Sequence, residues 1–424
     1  LKKNGFIELN PYDTSKNKSF GYRISWFEKS KNKINYSSEI FHEYELISRT
    51  SKIEKELDEK QLSRKKIAEK KTNHLTKWLS KEFIQIDAEN AYRWVNENCE
   101  LSGDSKYQYA WTLRNLEVGN WRYSREGKDN RLHSNLTNLS SNLRRFLSFQ
   151  GGTLVSLDIK SSQPFLMVAI LEMIMEGNER DKEFVSECLD KRKKISQKWE
   201  EVFSIMNYKL SEPQNRQEFE VFKKEVVEGD IYNWLANKLS DNFIQKITSK
   251  DGHLTIKVYN PETKKRESKL FRSTRDLAKV LFLEFMYSGL GSTTPTYKAV
   301  ERILPSIIVE FITEFKKCPF TNKKGKKNKN ERKEVKEAKV HLSAFLQHFE
   351  AFLLLDTITR DLAKDYPNMF MATIHDSIIV ETKNAMLVKQ ILEYRMELLT
   401  GLRPEIKYEE WKENKLIFAM EQNL

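Results

Sequence analysis

The chain is poor in the residues that build covalent or metal-held frameworks. Its 424 residues include 3 cysteines and 7 histidines, all scattered. Cys99, Cys188 and Cys318 lie far apart with no Cys-x-x-Cys pair, so they support neither a disulfide scaffold nor a zinc site and fit a reducing compartment. No apolar run approaches the roughly 18 residues of a membrane span. The opening residues Leu1-Lys2-Lys3-Asn4-Gly5 carry no signal-peptide apolar region. The expected location is therefore cytoplasmic, with no membrane partner. No internal repeat is present.

Charge is abundant. Lys and Arg number 73 against 61 Asp and Glu, a net charge of +12, which favours a polyanionic partner, nucleic acid first. A hydrophobic content of 39% supplies the core of two or three domains or of one multi-lobed enzyme.

Residues 1–50 mix short aromatic and β-branched runs, such as Gly21-Tyr22-Arg23-Ile24 and Ile34-Asn35-Tyr36, with polar breaks, and predict a small β-rich piece. Residues 51–99 are helical in period, with basic clusters at Arg64-Lys65-Lys66 and Lys70-Lys71 and an apolar face through Leu75, Trp78, Leu79 and Phe83. Alone, those bases read as a solvated helix face; beside nucleic acid they become phosphate contacts. Residues 107–150 are dense in aromatics, Asn and Arg, among them Asn130-Arg131-Leu132-His133-Ser134, Asn138 and Arg144-Arg145, with few acids to pair them. Such groups suit phosphate and base edges.

Two stretches place a carboxylate at the end of an apolar run. In 151–171 a Gly-Gly turn leads into a β run ending on Asp158-Ile159-Lys160, with a helix expected to start near Pro164. In 369–381 two strand-length runs are interrupted only by His375-Asp376-Ser377, a tight hairpin with Asp376 at its tip. In isolation such a triplet is more commonly a plain polar turn. Between them, 172–270 reads as mainly helical with a hairpin near 254–261. A helix over 271–290 puts Arg275, Lys279, Leu283 and Tyr287 on one face. A basic low-complexity run over 317–339, which includes Lys323-Lys324-Gly325-Lys326-Lys327-Asn328-Lys329, a helix over 342–362, and a final helix plus short strand complete the chain.

Two strand-end aspartates, a helix bearing Arg and Lys, and a basic aromatic approach match what phosphoryl transfer from a nucleoside triphosphate requires. Spacing alone does not pair Asp158 with Asp376. The motifs, in order over 130–381, resemble those of the family-A polymerase superfamily, the bacterial repair-type DNA polymerases and the bacteriophage-type single-subunit RNA polymerases. Leu157-Asp158-Ile159-Lys160-Ser161-Ser162-Gln163 resembles motif A, which implies that Asp158 and the backbone carbonyl of Ile159 hold metal. Arg275, Lys279, Leu283 and Tyr287 are similar to motif B, which implies triphosphate contacts for Arg275 and Lys279, with Lys279 also a candidate proton donor to the leaving pyrophosphate. Ile374-His375-Asp376-Ser377 resembles motif C, making Asp376 the second metal ligand. Asn130-Arg131-Leu132-His133-Ser134 resembles the stretch before the palm whose Arg contacts the primer terminus, and Gln347 falls where the family has a Gln on the helix before motif C.

The departures are specific. Ser288 stands where the family has Gly after the motif-B Tyr, and Leu283 replaces an aromatic. Gln163 stands where DNA-making members carry a Glu that blocks a ribose 2′-hydroxyl. Ser377 is like the RNA-making branch, while Ile378-Ile379-Val380-Glu381 continues like the DNA-making one.

The resemblance implies an α+β right-hand polymerase. Its expected regions are a small N-terminal piece over 1–50, a helical thumb-like region over 51–115, a first palm segment over 116–175, helical fingers over 176–345 and a second palm segment over 346–424. The expected activity is template-directed DNA synthesis without proofreading, using two Mg²⁺ ions (or Mn²⁺), nucleoside triphosphates and a primed template. Asp158, Asp376 and Lys279 would be catalytic; Arg275, Lys279, Leu283, Tyr287 and Gln163 would hold the nucleotide; Arg131, Asn138, Arg144, Arg145, Gln347 and His375 would contact nucleic acid. An RNA-synthesising or primer-making enzyme, a template-independent nucleotidyltransferase and a catalytically idle nucleic-acid-binding module are the alternatives. Oligomeric state is not legible.

Overall fold

Twelve short strands and a larger number of helices follow one another along the described residues of a computed structural model. It describes residues 7–10, 21–24, 51–98, 103–126, 129–189, 193–248, 252–260, 265–288, 294–317 and 341–412. The run Ile34-Asn35-Tyr36, the basic run 323–329, Cys99 and Cys318 lie outside the described residues. The chain divides into two units, Leu1–Asp58 and Glu59–Leu424. In the first, β1 (Ile7–Asn10) and β2 (Gly21–Ile24) pair antiparallel, Ile7 opposite Ile24.

The second unit is built on an antiparallel sheet. Its members are β3 (Ile84–Ile86), β6 (Leu147–Phe149), β7 (Gly152–Ile159), β10 (Ala372–Ile374), β11 (Ser377–Glu381) and β12 (Ile406–Glu410). Two further ladders stand apart: β4 (Tyr123–Ser124) with β5 (His133–Ser134), and β8 (Leu254–Asn260) with β9 (Lys265–Phe271). Strand β7 is central, flanked by β11 and β12, while β10 pairs with β11 and β6 joins the start of β7. The turn into β7 is Gln150-Gly151, both at positive φ (+48° and +79°), as a two-residue hairpin turn with the twist of its strands requires. The expected Gly-Gly turn is thus displaced by one residue, and Gly152 begins the strand.

The two faces of β7 differ, and that difference positions the site. Val155, Leu157 and Ile159, with Ile378, Val380 and Ile406 across the ladders, bury against helices in the larger core. The opposite face starts apolar at Leu154, Ile379 and Trp411, in the smaller core, then turns polar through Ser156 to Asp158, Ser377 and Lys407. Apolar area removed from water contributes about 25 cal/mol per Å², so the buried face fixes which way the polar end points.

The helical period of 51–99 resolves into a helix (Ser51–Thr76), strand β3 and a helix (Ala88–Glu97). Thr72, whose hydroxyl donates to the Ala68 carbonyl at 2.8 Å, sits at a kink in the first. Helix Ser162–Glu176 begins two residues ahead of Pro164 and is buried along most of its length. The expected stripe lies on helix Thr274–Tyr287. The helix before β10 runs from His341 to Asp365 with a wide π-helical segment at Phe352–Ile358.

Lys316, at the end of helix Ser306–Lys316, is 4% exposed and donates to the Phe285 carbonyl at 2.5 Å, tying that helix to the stripe-bearing one. Burial pulls its pKa down to about 8, against the opposing pull of Glu301. Between that value and the ordinary 10.5 the unfolded chain holds a proton the folded chain has lost, so this group makes stability rise with pH. Urea midpoints at pH 8 and pH 9.5 should show wild type gaining stability relative to Lys316→Met; parallel behaviour of the two proteins would refute the assignment.

Candidate active site

Asp158 is the last polar residue of β7, and its neighbours on both sides are set by register: Ser377 on β11 and Lys407 on β12. Lys160 N–H donates to the Glu405 carbonyl at 3.0 Å, so the even residues of β7 hydrogen-bond toward β12. The Asp158–Ser377 pair is then the close, non-hydrogen-bonded type, and the Ser377 hydroxyl donates to Asp158 Oδ1 at 2.7 Å. By the same alternation the Ile159 carbonyl faces the β11 edge, where the His375-Asp376 turn begins.

That turn is a two-residue hairpin, Ile374 opposite Ser377, with His375 exposed at φ +52°. It brings Asp376 beside Asp158. Burial, then the Asp376 carboxylate, push the Asp158 carboxyl above the usual range, while the Ser377 hydroxyl and the Lys407 and Lys279 ammonium groups pull it back. The carboxylate of half-buried Asp376 has no hydrogen bond or ion pair with the described residues.

Arg131 reaches this pair from the loop after β4, within electrostatic range of Asp376. Its Nε and one Nη donate to the two oxygens of Glu350 at 2.8 and 2.7 Å, a bidentate pair with Glu350 only 1% exposed. Burial pushes the Glu350 carboxyl up to about 7, against the pull of Arg131. The same carboxylate accepts from Gln163 Nε2 at 3.0 Å, and Gln163 Oε1 accepts from the Tyr287 hydroxyl at 2.6 Å. One chain of bonds thus joins Tyr287, Gln163, Glu350 and Arg131. A second bidentate pair, Arg125 with Asp356 of the π-helical segment, anchors the same loop.

On helix Thr274–Tyr287, Arg275 donates to Asp230 at 2.8 Å, and Asp230 also caps helix Ile231–Lys238. The Arg275 guanidinium and the Lys279 ammonium lie 5.5 and 5.8 Å from the ring of buried Tyr232. Lys279 is exposed and has no ion pair among the described residues.

No protein-family description matches the chain, and no curated protein matches it in sequence. Among solved structures it is similar to the POL domain of Pol1 from M. smegmatis, in complex with DNA primer-template and dNTP. The identity is 12%, over 77% of this chain and 56% of that one, with a TM-score of 0.40. The chain spans little more than half of that neighbour's length, and a functional reading rests on the side chains above.

The other expected site residues are placed unevenly. Arg144 is half-buried, 5.8 Å from the Trp411 ring and within electrostatic range of Asp158. Arg145 lies instead over Trp94 and Phe146. Asn138 is exposed, Leu283 packs against the larger core, and Gln347 is half-buried one turn before Glu350. Glu350, Asp230, Tyr232 and Lys407 were not expected. A lone Glu in the apolar run 342–355 is the one signal that marks Glu350 in the sequence.

Hard oxygen donors are what this site offers a metal. Asp158 Oδ2 takes no hydrogen bond from the described residues, and two adjacent carboxylates with a backbone carbonyl at the same edge suit Mg²⁺. Among the described residues no group of three or more His, Cys, Asp or Glu gathers, so the remaining ligands would be water and substrate phosphate.

Removing one member of a buried ion pair strands the other. Glu350→Ala should cost about 3–5 kcal/mol in urea unfolding, and Arg131→Met/Glu350→Leu together should recover most of it. A single-variant loss below about 1 kcal/mol would mean the pair behaves like an exposed one.

Proposed function

We propose that the chain is a nucleic-acid polymerase that adds nucleotides from nucleoside triphosphates to a primer 3′-hydroxyl, by template-directed DNA synthesis. The observation that carries this reading is the adjacent pair of carboxylates at one sheet end, the Asp376 carboxylate without a partner among the described residues, with cations arriving from a helix and an edge strand. Asp158, Asp376 and the Ile159 carbonyl would hold two Mg²⁺ ions, or Mn²⁺. When bound, the ions lower the pKa of the attacking hydroxyl and stabilise the leaving oxygen.

In this reading the primer oxygen bonds the α-phosphorus, the α–β phosphoanhydride bond breaks and pyrophosphate leaves. Lys279 neutralises the polyphosphate and donates a proton to the pyrophosphate. Arg275 shares its guanidinium between Asp230 and phosphate. Arg131 keeps one Nη beyond its bidentate bond with Glu350 for the primer terminus. Gln163, held at both ends of its amide by Tyr287 and Glu350, meets the sugar as a fixed group and disfavours a 2′-hydroxyl. Ser377 favours a second reading, RNA synthesis on the same scaffold, since the hydroxyl typical of that branch is the one bonded to Asp158.

Extension of a primed template, offered only deoxynucleotides or only ribonucleotides, separates the two; clear ribonucleotide preference selects the second. Asp158→Ala and Asp376→Ala should each lower extension by about a thousandfold, and chelation of divalent ions should abolish it until Mg²⁺ is restored. Unchanged synthesis in Asp158→Ala refutes the site. Gln163→Ala should erode sugar discrimination about tenfold to a hundredfold, the scale of a lost steric contact in a pocket, read from competing kcat/KM values.

A further inference from the structure

Several cations surround the two carboxylates. Arg131 and His375 lie toward Asp376. Lys279 and Lys407 lie toward Asp158, arriving from unrelated elements, a helix and the edge strand β12. Lys407 is directly opposite Asp158 in the β7–β12 ladder, so the two side chains leave the same face of the sheet side by side. It is exposed, and its ammonium has no hydrogen bond or ion pair with the described residues. Arg131 is paired with Glu350 and Arg275 with Asp230, while Arg144, its buried Nε without a hydrogen-bond partner among the described residues, lies over Trp411. A lysine held by register next to a metal-type carboxylate, with no structural partner among the described residues, is available to an anion.

We infer that Lys407 binds the polyphosphate of the incoming nucleotide on the β12 side of Asp158, opposite Lys279, so that the two ammonium groups grip it from either side. The inference rests on the polymerase reading for the identity of the substrate, but the polyphosphate contact itself is independent of synthesis. The primer terminus belongs to the Asp376 side, where Arg131 and His375 lie. A strand cation this close to Asp158 therefore meets phosphate that leaves with the pyrophosphate.

The test compares wild type, Lys407→Met and Lys407→Arg. The exposed position leaves the fold intact in both variants, which thermal melts can verify. Calorimetric titration with inorganic tripolyphosphate and Mg²⁺ should show Lys407→Met binding about tenfold to a hundredfold more weakly, the worth of one charge-assisted contact, with Lys407→Arg recovering most of the affinity. On a primed template, KM for nucleotide and the inhibition constant for pyrophosphate should rise by the same factor, with kcat and primer-template affinity little changed. Equal tripolyphosphate binding by wild type and Lys407→Met overturns the inference, as does an effect confined to primer-template affinity. Wild type that binds tripolyphosphate through Lys407 but extends no primer would overturn the polymerase reading and leave the Lys407 contact standing.

Discussion

The register of β7 between β11 and β12 is the constraint on which the rest of this site depends. Side chains alternate along a strand, so a slip of one residue would turn Asp158 into the helix-packed core and bring Ile159 out to the polar end. The buried face forbids it: Val155, Leu157 and Ile159 are each at most 1% exposed. Returning one such side chain to water costs about 1.5–3 kcal/mol, and a slip would expose all three while burying a carboxylate. Ser377 and Lys407 then sit beside Asp158 with no interaction of their own needed to bring them there. The chemistry is positioned by apolar packing on the other side of the sheet.

A different device fixes what approaches that sheet end. Desolvating an arginine and an acid costs several kcal/mol each, and a bidentate pair offsets this without adding much stability. The two pairs made by Arg125 and Arg131 therefore serve placement: each joins a residue between β4 and β5 to the long helix before β10, 219 or more residues away in sequence. Glu350 carries a further load, because Gln163 bonds the same carboxylate that holds Arg131. A group that would read the sugar and a group that would read the primer end share one anchor.

Legibility in the sequence follows from how local each cause is. The His375-Asp376-Ser377 hairpin, the β run ending on Asp158 and the Arg275–Tyr287 helix face are written in periods of two or four residues, and all three stand in the structure where those periods put them. Residues 51–99 misled because a helical period continues past Thr76 in composition while Trp78, Leu79 and Phe83 are drawn into the smaller core instead. Asp230 and Lys407 reach the site through partners far along the chain, Arg275 and Asp158, which no local pattern reveals, and Glu350 is marked only as a lone acid in an apolar run. Gln347, chosen by resemblance, lies on the right helix but one turn from the carboxylate that holds Arg131.

Backbone strain gives an independent mark of the same place. Four non-glycine residues take positive φ among the described residues: Asn130, Gln150, Ser161 and His375. Gln150 and His375 are accounted for by their two-residue hairpin turns. Each of the other two stands within two residues of a candidate site side chain: Asn130 before Arg131 and Ser161 before Gln163. The left-handed region costs a non-glycine residue roughly 1–2 kcal/mol, and such a conformation persists only where surrounding contacts over-determine it. The Asn130 carbonyl accepts from Arg125 Nε at 2.9 Å beside the Arg131–Glu350 pair, and Ser161 precedes Gln163, held by Tyr287 and Glu350, so each strained residue adjoins one of the interactions that assemble the site. Relaxing either turn would re-aim the side chain beside it, which ties local strain to the surroundings of the two carboxylates.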